Sequence, residues 1–251
     1  MLRVLNFRFK FFKYIHKILD KFGVRLIESS IFYKSQDIVR LIQKNGYPVK
    51  NIFDVGAHKG EWSLNLARYL KNDVKFYLFE PSPFLREHLE KLCLEQNWNL
   101  YSEVLGAENK KAIFYSKGST GDSLFPEFGT DYEDQHKFLI EVRKLTELVK
   151  TNNLPIPELI KLDCQGGELD ILLGFKEYLH LIPALIIETH LIDTNQNSPN
   201  ILQVISKLSE FLFYPYSIVE VHNRSGVLNQ LDLLFLNKRF EKLNKYTKIK
   251  V

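Results

Sequence analysis

The feature that most constrains this chain is a set of short apolar runs, each ending in an acid and followed by a helix-like segment. Asn51-Ile-Phe-Asp-Val-Gly56, Lys75-Phe-Tyr-Leu-Phe-Glu80, Glu158-Leu-Ile-Lys-Leu-Asp163 and Ala184-Leu-Ile-Ile-Glu188 are too short to be helices and too apolar to be surface strands. Runs of this kind read as strands covered on both faces, the mark of a parallel sheet crossed by helices. Helical spacing fills the intervals 61–71, 145–151, 168–178 and 201–211, and a further helix ends near residue 96. Residues 100–105 read as a third strand and 111–116 as an additional strand or hairpin arm. The stretch 118–134, rich in Gly, Ser, Pro and acids, reads as a long loop, of a length that in compact domains is usually functional or mobile. Residues 216–221 and 232–236, joined through Arg224-Ser-Gly226, look like a closing antiparallel pair. The alternation predicts a Rossmann-like α/β fold: a mostly parallel, doubly wound sheet with a C-terminal antiparallel hairpin, preceded by N-terminal helices.

In an open α/β sheet, ligands bind beyond the carboxyl ends of the strands. Asp54, Glu80, Asp163, Glu188 and His190 all stand at such ends. After the first strand, Gly56 and Gly60 present no side chain to obstruct a ligand. Their spacing departs from the G-x-G-x-x-G dinucleotide fingerprint, and a pyrophosphate would want bare amides without a carboxylate nearby. Asp54 at the loop entrance instead suits a ligand that lacks phosphates and carries an amine and a positive sulfonium. Glu80, twenty residues past Gly60, can accept hydrogen bonds from both hydroxyls of a ribose; a helix N-terminal acid held by the dipole is its other reading. Two readings also stand for His58 (ligand contact or variable loop position), for His190 (base or hydrogen-bonded loop residue) and for Asp163 (site residue or helix cap). Glu168, in the first turn of its helix, reads as structural. Cys164 reads as a small buried residue.

Several classes of function are disfavoured by what the chain lacks. No apolar run approaches the roughly 18 residues of a membrane span, and Met1-Leu2-Arg3-Val4 opens no secretory signal core, so a cytoplasmic location is expected. Cys93 and Cys164 have neither metal-ligand nor redox spacing and are expected as free thiols. The net charge of +4 is concentrated at the N-terminus, where Arg3, Arg8, Lys10, Lys13, Lys17, Lys21 and Arg25 face one acid, Asp20. The remainder is close to neutral and offers nucleic acid no track. Phe11, Ile15, Ile18 and Phe22 fall at helical spacing with the lysines largely on another face. Such a helix packs on the main domain, or makes peripheral contact through residues 7–25 with an anionic membrane or a partner. A second helix, 36–45, stops at Gly46-Tyr47-Pro48. The organisation expected is an N-terminal helical segment, 1–46, and a main domain, 47–251.

The motifs together resemble one family. Asp54-Val-Gly56-Ala-His-Lys-Gly60-Glu61-Trp62, Phe79-Glu80-Pro81-Ser82, Ser119-Thr-Gly-Asp-Ser123-Leu124, Lys161-Leu-Asp163-Cys-Gln-Gly166-Gly-Glu168-Leu-Asp-Ile-Leu-Leu-Gly174 and Ile187-Glu188-Thr-His190 look like the FkbM methyltransferases, in order, over roughly residues 50–238. Thr146 stands where that family usually has aspartate, and Gly167 where it usually has alanine. The resemblance implies a class I methyltransferase fold, S-adenosylmethionine (SAM) as cofactor, and methylation of a hydroxyl oxygen. It also implies that Asp54, Gly56, Ala57 and Gly60 line the methionine part of SAM, that Glu80 binds the ribose with Ser82 beside it, and that Leu105 lies near the adenine. Asp163 would then lie close to both sulfonium and acceptor.

The function expected is O-methylation of a small-molecule or glycan acceptor: a saccharide, a glycolipid precursor or a secondary metabolite. His190 is the first candidate for general base and Asp163 the second, with Glu188 orienting one of them or binding a sugar hydroxyl. A metal site could be argued from Asp163, Glu188 and His190, but no spacing forces it and none is assigned. A nicotinamide-dependent oxidoreductase is disfavoured by the missing glycine spacing, and a non-catalytic SAM-binding module by the intact acidic strand ends.

Overall fold

The computed structural model describes residues 33–71, 73–117, 121–126, 136–192, 195–224 and 226–243. The basic segment 7–25 lies outside them, as does much of the 118–134 loop. In chain order the elements are α1 (Ser35–Lys44), β1 (Asn51–Val55), α2 (Glu61–Ala67), β2 (Lys75–Phe79), α3 (Arg86–Gln96), β3 (Asn99–Tyr101), β4 (Val104–Leu105), β5 (Lys110–Ser116), β6 (His136–Arg143), α4 (Leu145–Thr151), β7 (Leu159–Leu162), α5 (Glu168–Gly174), a 3-10 turn (Leu179–Leu181), β8 (Ala184–His190), α6 (Ile201–Glu210), β9 (Phe213–Arg224) and β10 (Val227–Asn237).

The main sheet runs β3-β2-β1-β7-β8-β10-β9, with β10 antiparallel to both neighbours and the other strand pairs parallel. This is the doubly wound order with a closing hairpin that the sequence predicts. Side chains alternate strictly across it, as the two-residue period of a strand requires. Phe53, Val55, Ile160, Leu162, Leu185 and Ile187 join α4, α5 and α6 in one core, while Ile52, Leu78, Leu159, Ala184 and Ile186 join α1, α2 and α3 in the other. Ile38, Val39 and Ile42 of α1 are fully buried in that second core. The helix 36–45, grouped by sequence with the N-terminal segment, therefore packs with the main domain, whose compact unit reaches back to Tyr33. Among the described residues no helix is long and apolar enough to cross a membrane.

Two details differ from the sequence reading. The single strand expected over 100–105 is two: β3 extends the main sheet beside β2, and β4 pairs with β6 in a separate three-stranded sheet, β4-β6-β5. The polar pair Ser102-Glu103 marks where the chain leaves one sheet for the other. Strand β6 sets Phe138, Ile140 and Val142 inward in alternation with exposed Lys137, Leu139 and Glu141, and the exposed Leu139 blurs that period in the sequence.

The strand order reverses between β1 and β7, and the ends of these two strands are knitted together there. The Asp163 amide donates to the Val55 carbonyl at 3.0 Å, and the Gly56 amide donates to the Phe79 carbonyl at 2.9 Å. Gly56 has φ +77°, and a Cβ on it would stand 1.9 Å from the Asp163 carbonyl oxygen. The space its missing side chain vacates is thus taken by the neighbouring strand end. Gly60 (φ +73°) caps α2, and a Cβ there would meet Leu92 at 2.6 Å.

Gly56→Ala is expected to cost about 3 kcal/mol or more, summing left-handed backbone strain and an overlap that backbone must relieve. Gly226→Ala, at φ +82° with open surroundings, should cost only about 1 kcal/mol. Urea unfolding of both variants checks the contrast.

Candidate active site

Strand parity places Asp54, Lys161, Glu188 and Asp232 on the same face of the sheet as the α1–α3 core. Asp54 sits opposite Lys161 in the β1–β7 register. Its Oδ2 accepts from the Ser63 hydroxyl at 2.7 Å, while Oδ1 is buried without a hydrogen-bond partner. Burial pushes the Asp54 carboxyl up, and the Lys161 charge and Ser63 hydrogen bond oppose that. Lys161 is itself buried, its Nζ 2.7 Å from Asp163 Oδ2 and 5.9 Å from the Trp62 ring centre. Burial works against the ammonium, but Asp163, Asp54 and Asp232 outweigh it and hold it charged. For Asp163 the balance is the mirror image. Partial burial raises it, and the Lys161 charge with its hydrogen bond brings it below the usual carboxylate range.

At the end of β2, the two Glu80 oxygens accept from the His58 amide (2.8 Å) and the Ser82 amide (2.9 Å). Each oxygen keeps lone pairs for a ligand. Burial pushes Glu80 up to about 7 despite those amides. His58, in the left-handed region at φ +48°, has its Nε2 buried and unpartnered. The Ser82 hydroxyl meets Ser116, whose hydroxyl in turn donates to Asp122. A cleft of about 480 Å³, open solvent included, lies over these strand ends. Gly56, Glu80, Asp122 and Asp163 supply its polar wall, and Leu105, Phe114 and Ile171 an apolar slot.

Beyond Asp163 the network continues through Gln165, at φ +52°. Its side-chain amide donates to Asp163 Oδ1 at 3.1 Å and to Glu188 Oε2 at 2.5 Å. Glu188 is covered, and burial, with the Asp163, Glu168 and Asp232 charges, raises it well above the usual range. His190 lies behind it, only 2% exposed, with Nε2 3.6 Å from Glu188 Oε2. Glu168 turns inward and accepts the Cys164 and Gly166 amides at 2.7 and 3.1 Å. Burial and the Glu168 and Asp163 charges push the Cys164 thiol far up; the residue, expected to be buried, is partly exposed and lines the cleft.

The family model for the methyltransferase FkbM domain matches residues 54–214. The chain belongs to the FkbM methyltransferase family. Its match spans from Asp54 through the start of β9, and so takes in both the glycine loop after β1 and the Asp163–Glu188 network. The hexuronic acid methyltransferase AglP of Haloferax volcanii is 24% identical over 161 residues, which cover 62% of this chain and 62% of that protein. The chain thus spans less than two-thirds of that relative's length. Among solved structures, magnesium protoporphyrin IX methyltransferase of Synechocystis PCC 6803 aligns at TM-score 0.44 and 11% identity, over 80% of this chain and 79% of that one. The O-methyltransferase TomG of Streptomyces achromogenes aligns at TM-score 0.45 and 12% identity, over 90% and 89%. The fold assignment rests on the sheet order, to which these likenesses add nothing.

An FkbM methyltransferase takes its methyl group from SAM, and the nicotinamide alternative falls away. The residues present suit that donor. The cleft pairs an acceptor-only carboxylate, Glu80, with an apolar slot, and Asp54 holds an orphaned buried oxygen beside it. Of the residues singled out in the sequence, Gly56, Glu80, Leu105 and Asp163 line the cleft. Asp54 and Ser82 are buried behind it, Ala57 and Gly60 pack into the α2–α3 side, and Glu188 and His190 are covered beyond Asp163. Gln165 and Asp122 were passed over as parts of motifs. His222 and Asp232, which face Glu188 from the hairpin, gave no signal short of the strand register.

A ligand whose hydroxyls donate to Glu80 binds its ionised form best, and a pKa pushed up to about 7 places that ionisation within the working range. SAM affinity, measured by calorimetry, should rise roughly tenfold from pH 6 to pH 8. The Glu80→Gln protein should bind SAM weakly with little of that pH dependence.

Proposed function

We propose that this methyltransferase transfers the methyl group of SAM to a hydroxyl oxygen of a saccharide-type acceptor, with Glu80 on the cofactor's ribose and Asp163 facing the acceptor. One observation carries the reading: Asp163 lines the cleft with its neighbour Gln165, partly exposed and tied to it, and covered Glu188 holds Gln165 from behind. Such a pair suits the adjacent hydroxyls of a sugar. The likeness to a hexuronic acid methyltransferase supports the same acceptor class.

When bound, SAM supplies an electrophilic methyl carbon on a sulfonium. The chain's task is to align an oxygen with that carbon and exclude water. Asp163 is the carboxylate an acceptor can touch, since its side chain is 32% exposed whereas that of Glu188 is 6% exposed. Held low by Lys161, Asp163 is a weak base, and a weak base suffices. As the oxygen gains carbon it becomes a strong acid, and its proton passes to the Asp163 carboxylate while the neutral ether departs. This ordering moves Asp163 ahead of His190, whose cover leaves it a positioning role behind Glu188. Lys161 fixes the Asp163 carboxylate, and Gln165 ties it to Glu188.

Incubation with SAM and a panel of hexose and hexuronic acid acceptors, read by mass spectrometry, tests the reading. A gain of one methyl on a sugar hydroxyl is expected. Asp163→Asn should lower kcat by roughly 100-fold or more while SAM affinity, by calorimetry, stays within about threefold, below a typical single-interaction loss. Methylation of carboxyl or nitrogen groups in preference to hydroxyls would refute the acceptor assignment.

A further inference from the structure

We propose that Glu188, Asp232 and His222 hold a divalent cation of the Mn²⁺ or Zn²⁺ kind, positioned to grip oxygens of the acceptor beside the methyl-transfer site. The three residues come from adjacent strands, β8, β10 and β9, and their donor atoms all lie within 4.8 Å of one another. The site is empty of any ion here, and the geometry is what speaks for one. His222 Nε2 and Asp232 Oδ1 are 3.2 Å apart, hydrogen-bond distance, and a cation between them would take the place of the shared proton. Two ligands each about 2.1 Å from one cation, at angles of about 90 to 110°, stand about 3.0 to 3.4 Å apart.

The sheet register supplies an independent argument. Glu188 and Asp232 are directly opposite each other in the β8–β10 ladder, and Glu220 is opposite Asp232 in β9. Like charges in that relation repel, and Glu188 and Asp232 are each only 5% exposed. Buried carboxylates are otherwise paired or coordinate metals. Asp232 meets the His222 ring at 3.2 Å and Lys161 lies within range of it, but the Lys161 ammonium is bonded to Asp163 at 2.7 Å. Gln165 takes Glu188 Oε2 and so fixes that carboxylate at the hairpin side of Asp163.

The donor set indicates which ion. One imidazole with two carboxylates is a poor match for Mg²⁺ or Ca²⁺, which favour oxygen throughout, and a good one for Mn²⁺ or Zn²⁺. His222 is 34% exposed at its side chain, whereas the two acids behind it are nearly covered, so the ion has an entry path on the hairpin side. The hydrogen bonds of Gln165 place the site next to Asp163. The ion's role on the acceptor rests on the O-methyltransferase reading, whereas its binding does not.

The decisive experiment uses the full chain, stripped with EDTA, without SAM or acceptor. Titration with Mn²⁺ alone, followed by the loss of the free-ion electron paramagnetic resonance signal, should show one bound ion per chain, displaced by Zn²⁺. Asp232→Asn and His222→Gln should each weaken binding at least tenfold while SAM affinity, the check on folding, stays near wild type. A wild-type chain that binds neither Mn²⁺ nor Zn²⁺, or variants that bind as tightly as wild type, would overturn the site. With a methylated sugar in hand, EDTA should raise the acceptor KM at least tenfold and Mn²⁺ should restore it; a KM indifferent to EDTA overturns the acceptor role. Mn²⁺ bound without methylation of any sugar would support the site and count against the functional reading alone.

Discussion

Where β1 and β7 lie side by side, the register sets Asp54 against Lys161, and Lys161 reaches past the strand end to Asp163. A buried ammonium between two carboxylates is stable only if its geometry is good, because removing charges from water costs several kcal/mol per ion. The 2.7 Å contact with Asp163, the Ser63 hydroxyl on Asp54 and the Trp62 ring over the ammonium meet that demand. The same contact sits at the point where the strand order reverses, which is where an open α/β sheet opens its ligand crevice. Gly56 seals the other side of it, with the Asp163 carbonyl filling the space a side chain would need. The glycine loop after β1 and the Asp163 carboxylate are thus held by one cluster.

From that cluster the chemistry spreads in two directions along the strand ends. Toward β2, Glu80 is freed from any cation and held by two backbone amides, so burial leaves it near neutrality and able to answer a neutral, hydroxyl-bearing ligand. Toward β8 and the hairpin, Asp163, Glu188 and Asp232 come together with Gln165 and His222 between or beside them. The chain thus places its carboxylates by strand parity: Glu80, Asp163 and Glu188 each end a buried apolar run, and Asp232 stands opposite Glu188 in the antiparallel register.

Much of this was legible in the residues. The apolar runs ending in Glu80, Asp163 and Glu188 could only be buried strands, and helices between them forced parallel pairing. The closing hairpin followed from the alternation in β9 and β10. Less visible was whatever depends on which strands are neighbours. His222 and Asp232 lie on the last two strands, and only the β8–β10 register brings them to Glu188. The glycines were read as room for a ligand; the structure shows Gly56 and Gly60 filled by Asp163 and Leu92, a packing no spacing reveals. The burial of His190 was equally hidden, because a histidine at a strand end looks the same whether it faces solvent or core. Strand β6 escaped because its apolar residues are shared between an exposed and a half-buried face.

Lys161 holds the site by balancing Asp54 and Asp163. Lys161→Met, close in volume, should leave those acids unbalanced and cost about 3 to 5 kcal/mol at pH 7.5. The sign of the pH dependence follows from the shifts. The lowered Asp163 stabilises the wild type above its unfolded value and loses that contribution as pH falls, while the raised Lys161 contributes below its own ordinary value. The deficit of the variant, from urea unfolding at a series of pH values, should therefore be wide near neutrality and close as pH falls through the ordinary carboxylate value of about 4 and below. A Lys161→Met protein as stable as wild type at pH 7.5, with a parallel pH profile, would contradict the account.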